Sequence, residues 1–154
     1  MSFRILGLAP ALFEDYFSMT AVELAQHDAL RVVADDPRMP CRVSLGHAPV
    51  GSELILVNYE HQPTSTPYRS RHAIYVCRSS REAFDAVDVV PEAIAARLVS
   101  IRAFDARHMM IDADVVEGTD AAEVFARLLS NPAADYLHVH NAKRGCYSAR
   151  VERA

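Results

Sequence analysis

Residues 135–154 read DYLHVHNAKRGCYSARVERA, and this stretch decides the fold class. Apolar and polar residues alternate on both sides of a short break that contains a glycine, which is typical of a β-hairpin. Because side chains alternate along a strand, His138 and His140 are expected to share the face opposite to Leu137. The sequence therefore predicts a closing hairpin with one apolar and one polar face.

The register of this hairpin follows from its apolar residues. Pairing residues 136–140 with 146–150 keeps apolar side chains opposite apolar ones, and a slip of one residue would mix the faces. This register gives two cross-strand pairs on the polar face: His140 with Cys146 and His138 with Ser148. Two imidazoles, a thiol and a hydroxyl would then share one sheet face with the guanidinium of Arg150.

Short strands outnumber helices in the rest of the chain. Strands are predicted at 3–8, 30–34, 41–45, 53–59, 71–77, 99–104 and 109–116, and helices at 10–17, 20–27, 79–87, 91–98 and between 120 and 131. Strict βαβ alternation is missing, so we predict an α+β fold with a largely antiparallel or mixed sheet and helices on one face. A single domain, 1–154, is expected. The predicted core residues are Leu54, Leu56, Ile74, Val76, Phe125, Leu128, Leu129, Leu137 and Val139.

Charge and cysteine content restrict the class of function. With 20 acidic and 16 basic residues the net charge is −4, which argues against a nucleic-acid partner. No apolar run reaches the length of a bilayer span, so no membrane association is expected. The cysteines Cys41, Cys77 and Cys146 form no Cys-x-x-Cys motif. We therefore expect three unpaired thiols and a cytoplasmic protein.

Five segments carry a resemblance to a known family. They are PCR at 40–42, NYEHQ at 58–62, TPYRS at 66–70, RAFD at 102–105 and the hairpin segment 138–147. Together they look like a bacterial family of uncharacterised proteins, domain of unknown function 1203. The resemblance covers nearly the whole chain, and the hairpin is its most distinctive part. It implies a complete, soluble, single-domain bacterial protein, and it assigns no catalytic role to any residue.

His138 and His140 are the first candidates for metal ligands. They lie two positions apart on one strand, which places the rings on one face about 7 Å apart along the backbone. Imidazole is the commonest transition-metal ligand in proteins, and two such rings can bind one ion. His61 is the third candidate, and Glu60, Cys146 and His72 are further ones. No spacing fixes a ligand triplet, so a metal site stays an alternative.

Cys146 is the candidate nucleophile. It follows Lys143, Arg144 and Gly145, and nearby cations favour a thiolate, while His140 across the hairpin would accept the proton. Glu60 is a candidate general base if burial raises its pKa.

Arginines near predicted strand ends favour a third reading, an anion site. They are Arg42, Arg69, Arg71, Arg102 and Arg144, and guanidinium groups bind carboxylate and phosphate through two parallel hydrogen bonds. Since the expected pocket holds more guanidinium groups than carboxylates, binding of a small anionic molecule is the leading prediction. Its expected walls are His61, Tyr68, Arg69, His72, Arg102, His138, His140, Asn141, Arg144 and Cys146.

Two other functions stay open beside anion binding. The first is a metal-dependent enzyme that uses His138 and His140, and the second is a non-catalytic interaction protein or homodimer. No cofactor is predicted, because the chain has no phosphate loop, dinucleotide-binding fingerprint or Gly-x-Ser-x-Gly motif.

Overall fold

The computed structural model describes residues 1–154, which form two antiparallel β-sheets and three short α-helices. The strands are β1 (Phe3–Leu6), β2 (Ala29–Val33), β3 (Glu53–Gln62), β4 (Ser70–Cys77), β5 (Asp85–Val87), β6 (Leu98–Phe104), β7 (Met110–Glu117), β8 (Tyr136–Asn141) and β9 (Tyr147–Arg153). The helices are α1 (Ala21–Gln26), α2 (Glu92–Ala95) and α3 (Ala121–Leu129), with 3₁₀ turns at Pro10–Leu12, Glu14–Ser18 and Gly118–Asp120. None of the helices has the length and apolar character needed to cross a membrane.

The larger sheet has six strands in the order β5-β1-β9-β8-β6-β7, and the smaller has the order β2-β3-β4. All neighbouring strands run antiparallel. The predicted α+β class with a C-terminal hairpin is therefore confirmed. β3 is the central strand of the smaller sheet, as its apolar sequence suggests, and it continues three residues past the predicted end at residue 59.

Two apolar cores stabilise the sheets. In the first, Phe125, Leu128 and Leu129 of α3 pack against β8, where Leu137 and Val139 are completely buried. In the second, the smaller sheet packs against the N-terminal third of the chain and contributes Leu54, Ile74 and Val76. Leu56 is the one predicted core residue that is not buried, because its side of β3 lines a cleft. All three cysteines are free and buried.

A capping box at Thr20 begins the first helix. The Thr20 hydroxyl accepts a hydrogen bond from the Glu23 amide, and the Glu23 carboxylate accepts one from the Thr20 amide. These two bonds satisfy amides that have no partner inside the helix, so α1 begins at residue 21.

Three local predictions are wrong. Residues 10–17 form 3₁₀ turns instead of a helix. Residues 41–45 form a buried turn, with only an isolated bridge between Pro40 and His47, and Leu45 has φ of 53°. Residues 79–87 are not helical, because residues 85–87 pair as β5 with β1 and thereby satisfy an otherwise open strand edge.

The predicted hairpin register is wrong. Leu137 lies opposite Val151 and Val139 opposite Ala149, so apolar residues still meet, and in this same register His138 lies opposite Arg150 instead of Ser148. A β-bulge between Val139 and His140 then shifts the register, so His140 lies opposite Tyr147 instead of Cys146. Ser148 is the extra residue, and the bulge brings the aromatic ring of Tyr147 onto the histidine face.

Candidate metal centre

Three histidines from two different sheets converge on one point between them. Leu137 and Val139 occupy the core face of β8, so the alternation of side chains turns His138 and His140 to the opposite face. His61 approaches that face from the end of β3, just where the pairing of β3 with β4 becomes irregular. These three residues are called the histidine trio below.

The trio has the dimensions of a metal-binding cluster. One ligand nitrogen of each ring can be chosen so that all three lie within 4.8 Å of one another. The centroids of the His61 and His140 rings are 4.9 Å apart, and His138 lies 6.1 Å from His61 and 6.3 Å from His140. His138 and His140 are buried, and His61 is half-buried. The His61 side is therefore the least buried part of the trio.

The hydrogen bonds of the trio leave lone pairs available. The Nδ1 atom of His140 donates to the carbonyl oxygen of Gly145 at 2.9 Å, so its Nε2 atom carries the free lone pair. The Nδ1 atoms of His61 and His138 are buried and have no hydrogen-bond partner. Buried polar atoms without a partner are rare in folded proteins, so these two nitrogens are candidates for ligand atoms.

All three imidazoles are neutral near pH 7. Burial lowers the pKa of His138 to about 2, and the neighbouring His140 adds to the effect. Burial, followed by the charge of Arg102, lowers the pKa of His140 to about 3 and that of His61 to about 4. Neutral imidazole is the form that coordinates metal ions.

Tyr147 and Arg102 form the walls of the centre. The Tyr147 ring stacks on His61 with centroids 5.3 Å apart and meets His138 edge-on at 5.1 Å. Burial raises the pKa of Tyr147, so its phenol stays protonated. Arg102 lies opposite His138 in the pairing of β6 with β8, and its Nε atom donates only to Ser100 at 3.4 Å. Its side chain has no carboxylate partner, so a positive charge stands unpaired beside the trio.

A second group of polar residues continues from His138 and was not predicted from the sequence. The Tyr136 hydroxyl accepts from Gln62 at 2.8 Å and lies 2.9 Å from the Nδ1 atom of His108. The guanidinium of Arg150 covers the Tyr136 ring at 3.8 Å. Tyr136 lies two positions before His138 on the same strand. Because side chains alternate along a strand, the sequence alone indicates that these two residues share a face.

The structure divides the predicted pocket into separate regions. His61, His138, His140 and Arg102 meet at the trio, whereas His72, Asn141, Arg144 and Cys146 line a cleft beside the β8–β9 turn. Tyr68 packs near Phe104 with ring centroids 6.2 Å apart. Arg69 is bound to Glu60 at 2.5 Å on the surface.

The catalytic pairing of Cys146 with His140 predicted from sequence is not formed. Cys146 accepts from the Asn141 amide at 3.3 Å and from Arg42, so it lies on the side of Asn141 and away from His140. The condition set for Glu60 as a general base, a pKa raised by burial, is not met. The hydrogen bond from Arg69 lowers the pKa of this carboxyl.

Comparison with known proteins identifies the family. The family model described as "Protein of unknown function (DUF1203)" matches residues 38–153. The chain belongs to the DUF1203 family. The matched range contains all three histidines of the trio, together with Arg102 and Tyr147. No match was found among curated proteins or among solved structures.

Proposed function

We propose that the protein is a metal-dependent enzyme whose metal ion is held by His61, His138 and His140. The observation that carries this proposal is the convergence of three neutral imidazoles, two of which have a buried nitrogen with no hydrogen-bond partner. An all-nitrogen ligand set favours zinc or another divalent transition metal over magnesium or calcium, which prefer oxygen ligands.

Coordination would remove an energetic cost that the metal-free site carries. A buried polar atom without a partner costs about 1–3 kcal/mol, and the trio contains two such atoms. In a tetrahedral site with bonds of about 2.0–2.1 Å, ligand nitrogens lie about 3.4 Å apart. The ligand nitrogens of the trio lie within 4.8 Å of one another, so small rotations of the rings would bring them to this spacing. The bond from His140 to Gly145 would hold that ring in orientation, as is common for metal-bound histidines.

The surroundings favour catalysis over a purely structural role. Three protein ligands leave one coordination position open, which is the arrangement of catalytic zinc sites, whereas structural zinc sites have four protein ligands. A metal ion in this position would supply Lewis-acid activation of a water molecule or a substrate oxygen. His61 is the only ligand of the trio that is half-buried, so a substrate would approach from its side.

Arg102 gives the proposal its substrate class. Its guanidinium lies beside the trio without a carboxylate partner, so it would attract and orient a carboxylate or phosphate group. The leading prediction from sequence, binding of a small anionic molecule, and the metal-dependent alternative thus become two parts of one site. An anion binds better to a protonated histidine than to a neutral one, and the three imidazoles of the trio are neutral. Arg102 would supply the positive charge instead, because a guanidinium stays charged when the imidazoles are neutral.

Metal titration of chelator-treated protein tests the proposal. Zinc and cobalt(II) are titrated by calorimetry into wild type, His61→Ala and His138→Gln, with His27→Ala as the control at an exposed histidine. We expect one ion per chain in wild type and His27→Ala, cobalt absorption bands of a nitrogen-bound four-coordinate ion, and loss of both in the trio variants. Circular dichroism confirms that the variants fold. Equal binding by all four proteins would overturn the proposal.

A further inference from the structure

A cleft of about 460 Å³ beside the β8–β9 turn has a positively charged lining. Four arginines line it: Arg38, Arg42, Arg97 and Arg144. Elsewhere in the molecule six arginines form ion pairs with carboxylates, namely Arg4, Arg31, Arg69, Arg78, Arg127 and Arg150. None of the four cleft arginines does so. This cleft is therefore a concentration of uncompensated charge in a protein that is acidic overall.

Arg42 is the most unusual of the four, because only 2% of it is exposed. Its Nε atom donates to the Tyr147 carbonyl at 2.7 Å, Nη1 to the Pro40 carbonyl at 2.9 Å and Nη2 to the Cys146 sulfur at 3.1 Å. Each of its three nitrogens thus donates one hydrogen bond, but no carboxylate balances its charge. A buried guanidinium without a counter-ion is costly, so proteins normally supply an anion for it.

Arg97 and Arg38 place further positive charge close to Arg42. Arg97 donates to the Ala93 carbonyl at 2.6 Å and also to the Arg38 carbonyl, which fixes the two side by side. Burial and the charges of Arg42 and Arg38 lower the pKa of Arg97, as expected where like charges are held together. Such an arrangement is unfavourable in the empty state and becomes favourable once an anion binds among them.

Acidic residues offset only part of the positive charge of the cleft. Asp35 and Asp36 belong to its lining, but neither forms an ion pair with an arginine. Asp36 instead accepts from the backbone amide of Arg38 at 2.7 Å. On the other side, the cleft is lined by the buried Asn141 at the end of β8 and by the exposed Arg144 of the hairpin turn.

We infer that this cleft is an anion-binding site, separate from the histidine trio, that takes a small molecule with two or more carboxylate or phosphate groups. Several guanidinium groups around a volume of this size can each bind an oxyanion through paired hydrogen bonds. Arg42 forms the buried floor, Arg97 and Arg38 form one wall, and the exposed Arg144 forms the rim. The inference stands without the metal, because none of these side chains belongs to the trio.

Binding of succinate and inorganic phosphate to the metal-site variant His61→Ala tests the inference. Using this variant prevents the anions from acting through a bound metal ion. Calorimetry and thermal unfolding are compared among His61→Ala and its double variants with Arg97→Gln, Arg144→Ala and, as the control, Arg107→Ala. Arg107 is exposed and lies outside the cleft. Sodium chloride at matched ionic strength measures the general salt effect.

We expect saturable binding that is unchanged in the Arg107→Ala protein. Binding should weaken about tenfold or more in the Arg97→Gln and Arg144→Ala proteins, which is the loss expected for one charge-assisted hydrogen bond. Equal affinity in all variants, or a response no larger than that to chloride, would overturn the inference. Anion binding that persists while zinc fails to bind wild type would support the cleft and reject the metal centre, so the two proposals fail separately.

Discussion

His61 and His140 belong to different sheets, and their rings meet at nearly right angles with centroids 4.9 Å apart. This contact fixes how the end of β3 lies over β8. It also places a half-buried imidazole against a buried one, so that a site with a closed floor and an accessible side results. The predictions below test the consequences of this arrangement and of the cores on either side of it.

Zinc should stabilise the folded protein through the trio. An ion that binds only the folded state at a hundred times its dissociation constant adds about 2.7 kcal/mol, which raises the Tm of a domain of this size by about 5–10 °C. The measurement is thermal unfolding of chelator-treated protein with and without zinc. His61→Ala should lose the shift, and His27→Ala should keep it. A shift of the same size in both variants would place the ion elsewhere.

Mild acid should destabilise the metal-free protein. Burial lowers the pKa of His138 to about 2 and of His140 to about 3, whereas an unfolded histidine titrates near 6.5. Below about 6.5 the unfolded chain therefore binds protons that the folded chain does not, and the free energy of unfolding falls by about 1.4 kcal/mol per pH unit for each such proton. Above that pH the contribution is fully present.

Urea unfolding of chelator-treated protein at pH 7.5 and pH 5.5 measures this loss. His138→Gln removes one titrating group and should lose less stability between the two pH values than wild type. His27→Gln, at an exposed position, should behave like wild type. Equal stability of the wild type at both pH values would contradict the buried, neutral state of these imidazoles.

Truncation in the first core should be severe. Leu137 is completely buried against α3, so Leu137→Ala should lower the free energy of unfolding by about 2–5 kcal/mol. Leu56→Ala should cost less, because Leu56 is half-buried at the cleft. Leu12→Ala is the control, since Leu12 is 53% exposed. The midpoints of urea unfolding of the three variants are compared. Three equal midpoints would mean that the burial of these leucines does not contribute to stability.

Gly118 should not tolerate a side chain. A Cβ atom at this position would lie 1.9 Å from the carbonyl oxygen of Ile94, so the turn before α3 would have to move. We expect Gly118→Ala to destabilise the protein by about 1–3 kcal/mol. Gly46→Ala is the matched control, because its nearest contact is at 3.7 Å. Indistinguishable Tm values for the two variants would refute the close approach of backbone at residue 118.

The parts of the fold that depend on local pattern could be predicted from the sequence. The alternation around Leu137 and Val139 indicated both the strand and its buried face, and the same alternation placed His138 and His140 together. The register could not be predicted, because the bulge at Ser148 is favoured by the packing of Tyr147 against His61, which is far away in the sequence. A local pattern contains no information about such a contact.

The anion cleft was beyond prediction for a related reason. Arg42 was recognised as a candidate, but Arg38 and Arg97 carry no motif and lie in a turn and at the end of a short helix. Their proximity arises only when the turn before β6 packs against residues 38–42.

Glu60 is a residue that the sequence suggested as a site residue but that the structure places away from the trio. It stands beside His61 in the sequence, yet it turns to the surface and pairs with Arg69.

Tyr147 has a consequence for how the two sites communicate. Its backbone carbonyl holds the buried Arg42 of the cleft, while its ring stacks on His61 of the trio. An anion that draws Arg42 towards the cleft would pull on the residue that supports one of the proposed metal ligands. Thermodynamic reciprocity would then require that a change in metal affinity on anion binding be matched by an equal change in anion affinity on metal binding. Coupling between the two proposed sites would therefore run through a single peptide unit.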